Sequence, residues 1–103
     1  MTIEEIGNIL KKTNIPVAYR CFPEGESPGL PFICYLDPYT NNFSADGCVY
    51  KKINHIQVEL YTKNRNQNIE EKVENVLSDF YWEKETVYLE DEECFETIYE
   101  LEV

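Results

Sequence analysis

Between residues 55 and 61 the side chains alternate without a break: Ile56, Val58 and Leu60 are aliphatic, and His55, Gln57, Glu59 and Tyr61 interleave them. A period of two is the pattern of a strand with one face against a core and the other turned away from it. This segment therefore demands a sheet, a layer to cover its aliphatic face, and a use for a second face that carries a histidine, an acid and a tyrosine.

Two amphipathic segments supply the covering layer. Thr2 followed by Glu5 is a capping box, Ile3, Ile6, Ile9 and Leu10 share one helical face, and Lys11 and Lys12 complement the dipole at the far end. A helix over residues 3–12 follows, ended by Asn14 and Pro16. After a polar connector at 63–68, Asn68 and Glu71 offer a second cap. Ile69, Val73, Val76, Leu77 and Phe80 then predict a helix over residues 69–81.

The other strands are shorter signals. Residues 17–22 read as a strand, 23–31 as a loop rich in Pro and Gly, and 32–36 as an interior strand closed by Asp37-Pro38. The next segment is a hairpin with an exposed polar tip at Asn41, Asn42, Phe43, Ser44 and Asp46. Ile53 is out of phase with Ile56, which predicts either a bulge or a separate twisted ribbon over 49–53. Val87 and Leu89 mark a short strand, and 90–93 a charged turn. Phe95, Tyr99, Leu101 and Val103 then form an inward face opposite Glu96, Ile98, Glu100 and Glu102. The order is α-β-β-β-α-β-β in one domain, residues 1–103. This is an α+β fold with a mainly antiparallel sheet and both helices on one face.

Charge bounds the partners. The chain carries 20 acids against nine Lys and Arg, a net −11 with His neutral. Direct nucleic-acid binding, which needs clustered cations, is not expected. Nine of the acids lie in residues 83–103 beside Lys84 alone, whereas Lys51, Lys52, Lys63 and Arg65 surround only Glu59 in 51–65. No apolar run suits a membrane span, and the acidic start is unlike a signal peptide, so a cytoplasmic protein is expected.

No catalytic constellation emerges. An acid pair for glycoside chemistry needs a fixed separation and an apolar setting that no spacing here specifies. His55 reads as a surface strand residue rather than a base, since no cysteine signature accompanies it. Cysteines at 21, 34, 48 and 94 show no close pairing for a metal, and three of them, in strand-like segments, read as reduced packed thiols. Gly7, Gly25, Gly29 and Gly47 form no phosphate loop, and the Asn42-Phe-Ser44 acceptor triplet lacks a secretory context. The expectation is a non-enzyme without cofactor or metal.

The motifs PVAY at 16–19, EGESPGLPFICY at 24–35, NNFSAD at 41–46, VYK at 49–51 and ELYT at 59–62 carry a resemblance. Over roughly residues 16–102 the chain resembles small phage and prophage proteins of Gram-positive bacteria encoded among head and tail assembly genes. Its element order is similar to that of tail terminator or tail-completion subunits. The resemblance implies a structural subunit that forms a ring, usually hexameric, capping the tail tube and meeting the head connector. A head-closure or other neck role fits the same pattern. It also implies residence in the bacterial host cytoplasm during assembly and in the virion tail or neck afterwards. No catalytic residue is carried over. The uneven charge suits a head-to-tail contact in which Lys51, Lys52, Lys63 or Arg65 of one copy meets Glu96, Glu100 or Glu102 of the next. The same acids, if they lined a lumen, would repel passing DNA. The rival expectation is an acidic DNA-mimic inhibitor of a host nucleic-acid enzyme.

Overall fold

The computed structural model describes every residue but Asn41 and Asp46, with the backbone alone described for residues 43–45 and 49–51. Its elements are α1 (Ile3–Lys11), β1 (Val17–Tyr19), β2 (Phe32–Thr40), β3 (Phe43–Ala45), β4 (Cys48–Lys51), β5 (Asn54–Thr62), α2 (Gln67–Val76), β6 (Trp82–Leu89) and β7 (Cys94–Glu102). Five strands form one sheet in the order β1-β2-β5-β7-β6, and β3 pairs with β4 in a ribbon of their own. Apart from that ribbon, the helices and strands follow the expected α-β-β-β-α-β-β order.

The strand with the clearest alternation lies at the centre of the sheet, because Ile56, Val58 and Leu60 are all fully buried. They join Ile6, Leu10, Ile33, Val73, Leu77, Tyr99 and Leu101 in a single core. The capping box at Thr2 and Glu5 is present. Gly7 lets α1 approach the sheet closely: a Cβ there would collide with the Tyr35 hydroxyl and lie 2.7 Å from its Cζ. Space, not flexibility, requires glycine at this point.

Several boundaries move. β1 stops at Tyr19 and pairs with β2 in parallel, while the other pairings of the sheet are antiparallel, so it is mainly antiparallel as expected. Arg20 follows with φ 66°, a left-handed turn that ends the pairing. The cap of α2 is Asn66 rather than Asn68, its side chain accepting from the Asn68 and Ile69 amides at 3.0 and 3.2 Å. This helix ends at Val76, not at 81, because Ser78 and Asp79 are weak helix formers and Trp82 is drawn into register with Leu101. β6 is consequently longer than Val87 and Leu89 alone implied.

Asp37-Pro38 does not close β2 but bulges it. The register passes from Leu36 opposite Gln57 to Tyr39 opposite His55, so two residues of β2 face only Ile56 of β5. Of the two explanations for Ile53, the separate ribbon is the one found, since β4 ends at Lys51 and β5 begins at Asn54. In the tip, Asn42 is exposed and accepts the Ile53 amide at 3.2 Å. Asn41, Asp46 and the side chains of Phe43 and Ser44 lie outside the described residues.

Candidate functional site

Both helices pack on the aliphatic face, and among the described residues no helix covers the second face of the sheet; the loop before β2 reaches only its Cys34 and Phe32 corner, through Phe22. Pairing fixes what it displays: Cys34, Glu59, Ile98 and Glu85 form one cross-strand row, Phe32, Tyr61, Glu96 and Val87 the next, and Leu36, Gln57, Glu100 and Glu83 a third. Beyond the bulge, Tyr39, His55 and Glu102 form a fourth. The expected outward set of the two central strands is therefore on one surface.

Its middle holds an acid pair that no periodicity announced. The Tyr61 hydroxyl lies 2.9 Å from Glu59 Oε2 and 2.9 Å from Glu96 Oε2. One hydroxyl proton serves only one carboxylate at a time, so the second contact is satisfied when a carboxyl carries a proton. Burial, then the hydrogen bond to Glu96, pushes Glu59 up to about 7 against the lowering effect of Tyr61. The same burial and the two acids raise the Tyr61 phenol well above its usual range. Beside this pair, burial and then the charge of Glu59 push the Cys34 thiol up to about 11. A thiol so placed stays protonated and is a poor nucleophile at neutral pH.

Aromatic rings flank the acids on one side. Phe22 meets Phe32 edge-on at 5.4 Å, and Phe32 stacks on Tyr61 at 4.9 Å. At the other end of the strands Tyr39 stacks on His55. His55 is not a surface residue: only 8% of it is exposed, and among the described residues neither ring nitrogen has a hydrogen-bond partner. Its Nε2 is 3.6 Å from Glu100 Oε1, too long for a hydrogen bond. His55, Tyr81, Glu83, Glu100 and Glu102 line a hollow of about 460 Å3.

The basic residues expected to act together are separated. Lys52 precedes β5 and Lys63 and Arg65 follow it, so roughly 35 Å of extended chain divides the two groups at about 3.3 Å per residue. Lys52 lies at the Glu102 end, and Lys63 lies at the end of the 90–93 turn, because Thr62 pairs with Phe95. The Lys51 side chain lies outside the described residues. Arg65 is engaged within the subunit, donating to Glu70 from Nε at 3.1 Å and from Nη2 at 3.3 Å. Lys84 reaches the same carboxylate at 3.1 Å and Glu74 at 2.8 Å, and Tyr99 donates to Glu74 at 2.8 Å. Burial would raise Glu70, but the hydrogen bonds and charges of Arg65 and Lys84 outweigh it and hold the carboxyl below its usual range. This network locks α2 onto β6 and belongs to the covered face.

Only Cys34 and Cys94 are packed thiols; Cys21 and Cys48 are exposed, and all four are free. Among the described residues no group of His, Cys, Asp and Glu is arranged to hold a metal ion. Among them, too, no helix is long and apolar enough to cross a membrane. In comparisons with known proteins the chain matches no family model, no curated protein and no solved structure.

Proposed function

We propose that the chain is a structural subunit of a phage or prophage head–tail assembly, a tail terminator or head–tail joining protein whose copies form a ring on the tail tube. The observation that carries this reading is the sheet face that no described helix covers, with its half-buried acid pair, Glu59 and Glu96. Among the described residues neither has an ion-pair partner. With no cation beside it, this half-buried pair is held only by the Tyr61 hydroxyl and, with Glu59 pushed up to about 7, a shared proton. A neighbouring copy, a tube subunit or a neck protein completes it by supplying cover and positive charge. Rings, aliphatic side chains and acids in one mixed patch suit a protein contact.

Electron microscopy of the purified protein, alone and with tube subunits, tests this. Closed rings or capped tubes are expected; a subunit that remains monomeric under both conditions would overturn the reading. The DNA-mimic alternative draws on the same acids. However, Gln57, Ile98 and Tyr61 break them into a patch spread over three strands, not a file at phosphate spacing. Capture of a host nucleic-acid enzyme in place of ring formation would favour it.

A further inference from the structure

Three oxygen contacts meet at the centre of the second sheet face. Tyr61 Oη lies 2.9 Å from Glu59 Oε2 and 2.9 Å from Glu96 Oε2, and the two carboxyls are hydrogen-bonded to each other. Each contact needs a proton. The phenol supplies one and a single carboxyl proton a second, so two of the three contacts hold at once and the two acids share one negative charge. When the carboxyl proton leaves, one proton remains for three contacts and two like charges stand side by side. Among the described residues no cation forms an ion pair with either acid. The Tyr61 ring also has room to move. It lines two hollows, one of about 500 Å3 shared with Leu89 and Glu92, the other of about 250 Å3 shared with Phe22 and Cys34. Its face stacks on Phe32 at 4.9 Å, and Phe32 meets Phe22 of the loop before β2 at 5.4 Å. One residue thus joins the acid pair, through its hydroxyl, to the aromatic corner beside the buried Cys34, through its ring.

We propose that Glu59, Tyr61 and Glu96 form a latch: one shared proton holds it shut, and loss of that proton frees the Tyr61 ring and loosens the Phe32–Phe22 corner beside Cys34. Burial and the contact with Glu96 hold Glu59 up to about 7, so release falls near neutral pH, with the latch shut below and open above. The other titratable groups around the pair do not supply the missing charge. Cys34 of β2 and Glu85 of β6 share the cross-strand row of Glu59, and Glu83 and Glu100 lie one row away. Glu92 and Cys94 face Tyr61 across the larger hollow, Cys21 and Arg20 across the smaller. Arg20 is the one basic side chain lining either hollow, and its guanidinium lies over the Tyr19 ring at 5.3 Å. The latch is a property of the single subunit and does not rest on ring formation.

The test is an NMR titration of the full chain from pH 5 to pH 9, read at the carboxyl carbons of Glu59 and Glu96 and at the rings of Phe22, Phe32 and Tyr61. One carboxyl of the pair is expected to titrate with a midpoint of about 7. The three ring signals should move with the same midpoint, and the proton–proton contacts between Phe22 and Phe32 should weaken as pH rises through it. In Glu59→Gln the amide donates at every pH, so the rings should stay in their low-pH positions throughout. Tyr61→Phe keeps the stack but cuts the link, so Phe22 and Phe32 should no longer follow the acids. Titration of both carboxyls in the ordinary acid range would overturn the latch. So would a carboxyl that titrates near 7 while the rings of the parent stay still, or ring movement that persists in both variants. Ring movement abolished by Arg20→Gln would assign it to the guanidinium turning onto the acids, and would overturn the latch as well.

Discussion

Tyr39 lies flat on His55, with ring centroids 4.4 Å apart and planes 7° from parallel. The two are cross-strand partners only because the bulge at residues 37 and 38 adds one residue to β2. Without it, Tyr39 would point to the opposite side of the sheet, since one step along a strand reverses the side chain. Pro38 suits the bulge, where a missing amide breaks no ladder bond. The stack removes His55 from solvent while Tyr39 itself stays 57% exposed. Tyr39→Ala is therefore expected to cost about 1 kcal/mol in urea unfolding, and Tyr39→Phe far less, because the stacking area and not the hydroxyl makes the contact.

Gly7→Ala tests the closeness of α1 to the sheet. In an exposed helix the change would stabilise by about 1 kcal/mol. Here the new methyl group meets the Tyr35 ring, and a net loss of about 1–3 kcal/mol is expected from overpacking. Pairing it with Tyr35→Leu should recover part of the loss in thermal unfolding.

The acid pair makes stability fall with rising pH. Glu59 titrates near 7 in the folded chain against an ordinary value of 4.5, so the folded state binds its proton more tightly than the unfolded state does. The stability contributed by this group is complete below pH 4.5 and is lost as pH rises through 7. With solvent screening the loss is on the order of 2 kcal/mol. Denaturant unfolding from pH 5 to pH 8 is expected to show this decline in the parent and a flatter profile in Glu59→Gln. Glu70, whose carboxyl is held low, acts in the opposite sense and loses its contribution only in acid.

Lys84→Ala leaves the buried Glu70 carboxylate with Arg65 as its remaining ion-pair partner and removes the bond to Glu74. A loss of about 1–3 kcal/mol is expected. Lys72→Ala, on the exposed side of α2, is the comparison and should change little. Chemical denaturation of the two variants checks the difference.

Charge reversal separates the two ends of β5 in assembly. Lys52→Glu alters the end that holds Glu102, and Lys63→Glu the end that holds the 90–93 turn. If copies join end to end, either reversal should weaken the assembly, and light scattering reads the loss. Equal assembly by both variants would remove these lysines from the contact.

The periodic elements were legible because each follows from local spacing. Ile56, Val58 and Leu60 lie in the core, Thr2 and Glu5 cap a helix, and Glu96, Ile98, Glu100 and Glu102 share a face as their alternation requires. The boundaries were less legible. The α2 stripe continues to Phe80 in spacing, yet Trp82 is claimed by β7 two residues later, and no local signal carries that competition. Lys84 reads as one more exposed charge, but it lies on the inward side of β6 and is neutralised by two acids of α2, a pairing across elements that are separate in sequence.

The sequence by itself determined the α+β class, the element order, the aliphatic face and the composition of the opposite one. Those depend on the period of neighbouring side chains. Only the tertiary structure decided that Glu59 and Glu96, 37 positions apart in the chain, share the Tyr61 hydroxyl. It also buried His55 beneath Tyr39 beside a hollow of acids, and divided the basic residues between the two ends of β5. Strand pairing and register set these distances, and they arise when strands remote in sequence choose their partners.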